Sequence, residues 1–302
     1  MNASNGFPGP IRFALTVGVL WLLVMALTGV GVWGVYEATP KILLRDQESS
    51  AWHYQKEAWE ILQQSPYGSS SRERALSQVE PLVAEAVSLA PNNVQYRTNH
   101  ALILQEQGKK MAALDELEAA LAITDSTEEA PYALYGEIAT QLELWEKAEG
   151  PLRKAIEIDP TSPLHHERLA KSLLRQGKID EGIEVLRHRI ENLPAVPWNR
   201  MMAALEAVRV GRYQEAAEWF DIPAKEGQIK GKIWYAVAVS KAAVGDIDEA
   251  AAAFIRYKED LNIHHIPSAT HAPPGLEIGP YDEKTEANLK AAYRRSFSRD
   301  WK

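Results

Sequence analysis

The side chains best equipped for chemistry in this sequence are its histidines, and their spacing gives them little to do. His165 and His166 are adjacent. On a helix, neighbouring side chains point about 100° apart and do not converge on one ion. His264, His265 and His271 fall in a Pro-rich stretch, 263–281. Imidazoles in such a loop could take zinc or another transition metal. Their spacing matches no established site, and the chain has no cysteine to add a thiolate. There is no Gly-rich phosphate loop, no Gly-x-Ser-x-Gly and no His-Glu-x-x-His. The many carboxylates suit the solvated faces of helices. The expectation is a protein that is not an enzyme, with no cofactor, no metal and no catalytic residue.

Composition narrows the class. The 302 residues are 46% hydrophobic and 25% charged, values of a folded chain. A net charge of −8 gives no basic face for nucleic acid. Without cysteine there are no disulfides, which suits an oxidising compartment without requiring one.

After a short tail, 1–12, residues 13–36 carry no charge. As a helix this segment would rise about 36 Å at about 1.5 Å per residue, enough for a bilayer core. Arg12 stands at one end, Trp33 and Tyr36 at the other. Aromatic rings favour that interfacial level. The apolar run is too long for a signal peptide, and no small-x-small cleavage site comes after it. We expect an uncleaved transmembrane anchor. The flanking charges barely set its direction, but a short polar tail before a single span favours a cytoplasmic N-terminus and an exported body.

The rest of the chain repeats with a near-constant period of about 34 residues, a solenoid signature. A small residue recurs at Ala101, Gly136, Ala170, Ala204 and Ala238. A turn position comes next at Gly108, Glu143, Gly177, Gly211 and Gly245. A second small position reads Ala113, Ala148, Gly182, Ala216 and Ala250, and four residues later come Leu117, Leu152, Leu186, Phe220 and Phe254. Small residues let two helices touch; the large apolar ones fill the space between units. No unit can bury its apolar face alone, so stability comes from stacking.

These residues resemble the tetratricopeptide repeat (TPR), a helix–turn–helix unit. The resemblance covers 94–262 as five units. It implies an all-α superhelical solenoid behind the anchor. Residues 37–93 become a juxtamembrane helix and a degenerate first repeat, with Trp52, Tyr54 and Trp59 on its first helix, a 65–71 loop insertion and a second helix over 75–93. Pro223 predicts an early end to the fifth unit's second helix, near Phe220–Asp221. The Pro-rich loop 263–281 leads to a basic helix, 282–302, that would cap the stack; its cations and aromatics could alternatively meet an anionic surface.

The resemblance also assigns an inner groove, lined by the first helix of each unit. Gln95, Thr98, Leu102 and Gln105 begin it, and Ala133, Glu137, Thr140 and Gln141 continue it. The fourth unit gives Glu167, Lys171, Leu174 and Arg175. The fifth gives Trp198, Met201, Leu205 and Arg209, and the sixth Lys232, Tyr235 and Val239. We take Trp198, Met201, Leu205, Arg209, Tyr235, Lys171 and Arg175 as the partner-binding set. Lys171 and Arg175 could touch a carboxylate, but the Lys/Asn clamp by which some TPR proteins grip chaperone C-termini is incomplete here.

Function enters as an expectation. The resemblance implies a membrane-tethered protein-binding scaffold or assembly factor, single-pass in a bacterial inner membrane, with a periplasmic TPR body. Its partners would be other proteins, such as subunits of membrane or envelope complexes. The alternative is a permanent accessory structural subunit of such a complex.

Overall fold

The computed structural model describes residues 33–124, 127–192, 197–262 and 270–298. The chain divides into two units, Met1–Gly108 and Lys109–Lys302. That boundary falls between the two helices of the predicted second repeat.

In the first unit, α1 (Trp33–Gln63), α2 (Ser70–Leu89) and α3 (Val94–Glu106) pack in sequence. Ala58, Leu76, Val79, Val83 and Ile103 form their core. Ser69 caps α2 by accepting from the Arg72 amide at 3.2 Å, and Asn93 caps α3 by accepting from Tyr96 at 3.0 Å. The buried Arg72 side chain closes the turn-rich insertion. Its guanidinium donates to both carboxylate oxygens of Glu106, at 2.8 and 2.9 Å, and to the Leu62 and Ser65 carbonyls. This fork geometry satisfies the donors that burial would otherwise orphan.

The predicted span lies outside the described residues except for 33–36, which open α1. Among the described residues, no helix is long and apolar enough to cross a membrane.

The second unit runs α4 (Lys110–Leu121), α5 (Glu129–Gln141), α6 (Trp145–Ile158), α7 (Pro163–Arg175), α8 (Ile179–Asn192), α9 (Pro197–Arg209), α10 (Tyr213–Lys225), α11 (Ile233–Ala243), α12 (Ile247–Leu261) and α13 (Glu283–Ser298). Successive helices pack as antiparallel pairs, and α5 also touches α7, as α9 touches α11. The repeat positions do what their sizes require. Ala170, Ala204, Ala238, Ala148, Ala216 and Ala250 are all fully buried. So are Leu117, Leu152, Phe220 and Phe254. A Cβ at Gly136 would come within 2.5 Å of the Leu152 side chain, so that glycine is where α5 meets α6.

The turns share one geometry. Gly177, Gly211 and Gly245 take positive φ, and so does Glu143, at φ 59. At each, the next amide reaches back to the last helical turn: Leu144 to Ala139, Lys178 to Leu173, Arg212 to Ala207 and Asp246 to Lys241, all within 3.0 Å. This is a Schellman closure, which normally selects glycine.

Two features depart from expectation. α10 does not stop near Phe220–Asp221 but runs through Pro223 to Lys225. Proline costs a helix its i→i−4 bond. Here Pro223 is buried, and its carbonyl accepts the closing bond from Gln228 at 3.0 Å. The second departure is the Pro-rich connection. Its described part, 270–282, does not merely lead to α13 but is held against the repeats.

Candidate partner-binding face

The inner helices of the second unit are α5, α7, α9 and α11. α7 begins at Pro163, whose fixed φ suits a first helical position, and projects Lys171 and Arg175 toward its C-terminal end. Beneath them lies Trp145, the first residue of α6. The Lys171 ammonium sits 5.8 Å and the Arg175 guanidinium 6.0 Å from its ring centroid. Both are within cation–π range.

α9 presents four of the predicted residues, and they divide. Trp198, in its first turn, is 58% exposed. Leu205 packs at the margin of the core. Met201 is not on the open face: it is buried at 2% exposure. Tyr235 on α11 is likewise buried, with edge-on contacts to Phe254 and Tyr257. Burial pushes its phenol well above the ordinary tyrosine value. Thr98, Thr140, Leu174 and Val239, also assigned to the groove, are buried too. The reason is geometric. A helix wedged between two neighbours buries more than half its circumference, so only a narrow stripe stays open.

Arg209 closes α9. Its guanidinium pairs with Glu206 one turn back, and its Nη1 lies 3.5 Å from Glu277. Arg175 on α7 reaches the same Glu277 carboxylate, also at 3.5 Å. Two cations from successive inner helices thus share one carboxylate. Burial, and then the like charge of Arg175, pull the Arg209 pKa below its usual range.

Glu277 belongs to the segment expected to be a connecting loop. Its neighbours Leu276 and Ile278 pack on the core. The Gly279 amide donates to the Val208 carbonyl at 2.9 Å, and the Tyr213 hydroxyl donates to the Gly279 carbonyl. Lys232 donates to the Gly275 carbonyl at 3.1 Å. Gly279 is obligatory: an added Cβ would lie 2.4 Å from the Gly211 nitrogen and 2.6 Å from the Arg209 oxygen. One signal could have revealed this strap. In Leu276-Glu277-Ile278-Gly279, apolar and polar residues alternate with the period of an extended chain half-buried on a surface.

The histidines also resolve. His165 turns to Glu129 on α5, and His166 stacks on His188 of α8 with centroids 5.3 Å apart. Burial lowers the His166 pKa, and His188, His165 and Arg189 push the same way. Glu129, Asp159 and His165 bring ligand atoms within 4.8 Å of one another. That spacing can hold a cation and equally makes a histidine–carboxylate pair. His271 is exposed, and His264 and His265 lie outside the described residues.

No protein-family model matches the sequence, and no curated protein is similar to it at a significant level. Solved structures are similar in fold. YrrB, described as a TPR protein with an unusual peptide-binding site, matches at 16% identity and TM-score 0.52, over 60% of this chain and 93% of that one. MamA from Desulfovibrio magneticus RS-1, from residue 41 on, matches at 13% identity and TM-score 0.51, over 59% and 96%. Pseudomonas aeruginosa pilF matches at 18% identity and TM-score 0.50, over 71% and 93%. With these neighbours and its recurring turns, the chain has the fold of a TPR solenoid.

Proposed function

We propose that this protein is a protein-binding scaffold or assembly factor, tethered to a bacterial inner membrane by residues 13–36, with its repeats in the periplasm. The observation that carries the binding role is Trp198. Nearly every recurring large residue of the repeats is spent on packing, yet this tryptophan stands 58% exposed on an inner-helix position. Tryptophan is among the residues most often found anchoring a partner. Charge on the inner helix α7 is supplied by Glu167, Lys171 and Arg175. The description of YrrB as having a peptide-binding site agrees with such a role for this chain. The test is capture from native membranes in mild detergent, with mass spectrometry of the recovered proteins. A defined partner should be recovered with the wild type and lost with Trp198→Ala. Recovery unchanged by that substitution would refute the assignment. A reporter fused after Lys302 tests the orientation: activity confined to the cytoplasm would overturn the periplasmic location.

A second reading, a permanent subunit of a membrane complex, has its own support. Trp52 and Trp59 lie seven positions apart on α1, so they share a face, and they are 52% and 62% exposed. Stoichiometric co-purification, insensitive to Trp198→Ala but lost with Trp52→Ala and Trp59→Ala together, would favour this reading.

A further inference from the structure

We propose that the face running from the start of α11 across α9 to Arg175 on α7 is a recognition site for an extended peptide carrying a carboxylate between two apolar residues, and that strap 270–282 fills it in cis. A partner would then bind by displacing the strap. This deepens the scaffold reading by naming what the face recognises and what controls access.

The contacts are those of a docked peptide rather than of a connecting loop. Main-chain groups of the strap are held at three places: the Gly279 amide by Val208, its carbonyl by Tyr213, and the Gly275 carbonyl by Lys232. Such bonds are available to any extended chain. Selectivity comes from the alternation. Leu276 and Ile278 face the core, while Glu277 between them meets Arg175 and Arg209. Two guanidinium groups converge where one acidic side chain arrives, which is charge complementarity for a carboxylate.

The strap is also fit to leave. Its ion pairs are long, at 3.5 Å, and Glu277 is 64% exposed, so this clasp is weak. Removing the strap does not undock α13. That helix is anchored on its own by Leu289 and Ala292 in the core and by Asn288, which donates to the Ala242 carbonyl at 2.9 Å. Tethered at that end, the strap competes at high effective concentration, so an unaided ligand binds below its intrinsic affinity.

The experiment uses detergent-solubilised full-length protein and a fluorescein-labelled peptide of residues 273–282, PPGLEIGPYD, read by fluorescence anisotropy. Gly279→Ala and Glu277→Lys in the protein should each release the strap while leaving the face intact. Apparent affinity for the peptide should rise about tenfold or more in each, because the competent fraction rises. A peptide with lysine at the glutamate position should bind several-fold more weakly, and Arg175→Glu with Arg209→Glu should remove that preference in the released background. If a released variant with unchanged helical circular dichroism binds no tighter than wild type, or takes both peptides equally, the proposal fails. Should Gly279→Ala not fold, Glu277→Lys decides. Hydrogen exchange on the wild type gives a second reading: excess peptide must speed exchange of the Gly279 amide, and no change would count against displacement. If the peptide binds but Trp198→Ala leaves capture unaltered, the scaffold assignment fails and this one stands. Capture that depends on Trp198, without peptide binding to the released variants, has the opposite meaning.

Discussion

The two halves of the second unit are built on one repeat register and finished differently. From α5 to α8 the buried repeat positions are alanine, glycine and leucine, and charged pairs lace the surfaces. Arg168 meets Glu137 at 2.7 Å, Lys178 meets Glu149 at 2.7 Å, and Arg153 bridges Glu149 and Glu181. From α9 to α13 the core turns aromatic. Trp219, Phe220, Trp234, Tyr235 and Phe254 lie within one cluster, Tyr293 packs edge-on to Phe254, and the strap lies over the inner helices. Register therefore fixes where helices touch, while the identity of the filling residue decides how much surface is left to offer. Aliphatic units keep a polar inner stripe; aromatic units bury most of theirs, Trp198 excepted, and borrow a cover from elsewhere in the chain.

The largest expected effect probes that contrast in the cores. Phe254→Ala should destabilise the protein by about 3–5 kcal/mol, and Leu152→Ala by about 2–5 kcal/mol, measured by chemical denaturation. Because each unit leans on its neighbours, the two losses should appear in different parts of the unfolding curve. Superimposable curves for the two variants would erase the distinction between halves.

Next in size is overpacking. Ala204→Leu and Ala238→Leu insert bulk where Ala204 and Ala238 are fully buried, and each should cost about 1–3 kcal/mol. Stability unchanged in both would mean that the register assigned to the second half is wrong.

A gain is expected in the first half. Glu143 occupies the left-handed turn position that glycine holds at 177, 211 and 245. Glu143→Gly should stabilise by roughly 1 kcal/mol, the size of the backbone strain relieved less the entropy that glycine adds. A lower melting temperature would show that the Glu143 side chain compensates for its conformation.

The pH response also belongs to the first half. The His166 pKa lies below its ordinary value of 6.5, chiefly through burial, with His188, His165 and Arg189 facing it. The unfolded chain therefore binds a proton that the folded one resists. Stability is full above pH 6.5 and falls as pH drops from there through the lowered value. His166→Phe should flatten the fall of the melting temperature as pH drops below 6.5, which differential scanning calorimetry can follow. An equally steep profile in the variant would assign the proton uptake elsewhere.

Smallest of all is the effect of Trp198→Ala on folding, within about 0.5 kcal/mol, because an exposed side chain leaves no cavity. A loss of several kcal/mol would place Trp198 in the core and remove it from the binding face.

The repeat was legible because it is written in residue size. Ala170, Leu152 and Phe254 sit where the period put them, and the described part of the expected 282–302 helix is helical over Glu283–Ser298. The inner face was half legible. A helical wheel identifies positions such as 198, 201 and 235, but not how far the flanking helices close over them. Thus Trp198 is open, whereas Met201 and Tyr235 are not. The continuation of α10 through Pro223 reflects tertiary packing overriding a local preference. The strap was overlooked because prolines at 273, 274 and 280 read as a linker, although the alternation over 276–279 marks an extended segment. Its meaning depends on Gly211 and Arg209, remote in sequence, and no local pattern encodes that meeting.

A stack of repeats is ordinarily a chain of neighbours, in which an end can fray without disturbing the middle. The strap breaks that rule. The Arg175–Glu277 contact joins residues 102 apart in sequence, linking α7 with the segment just before the last helix. Forming it closes a long loop, which is entropically slow and must await the helices it lands on. Folding of this half should then end with a late, concerted locking step. Once locked, the strap should still open on its own before the helices beneath it do, so the Gly279 amide should exchange faster than the core amides of α9 to α12.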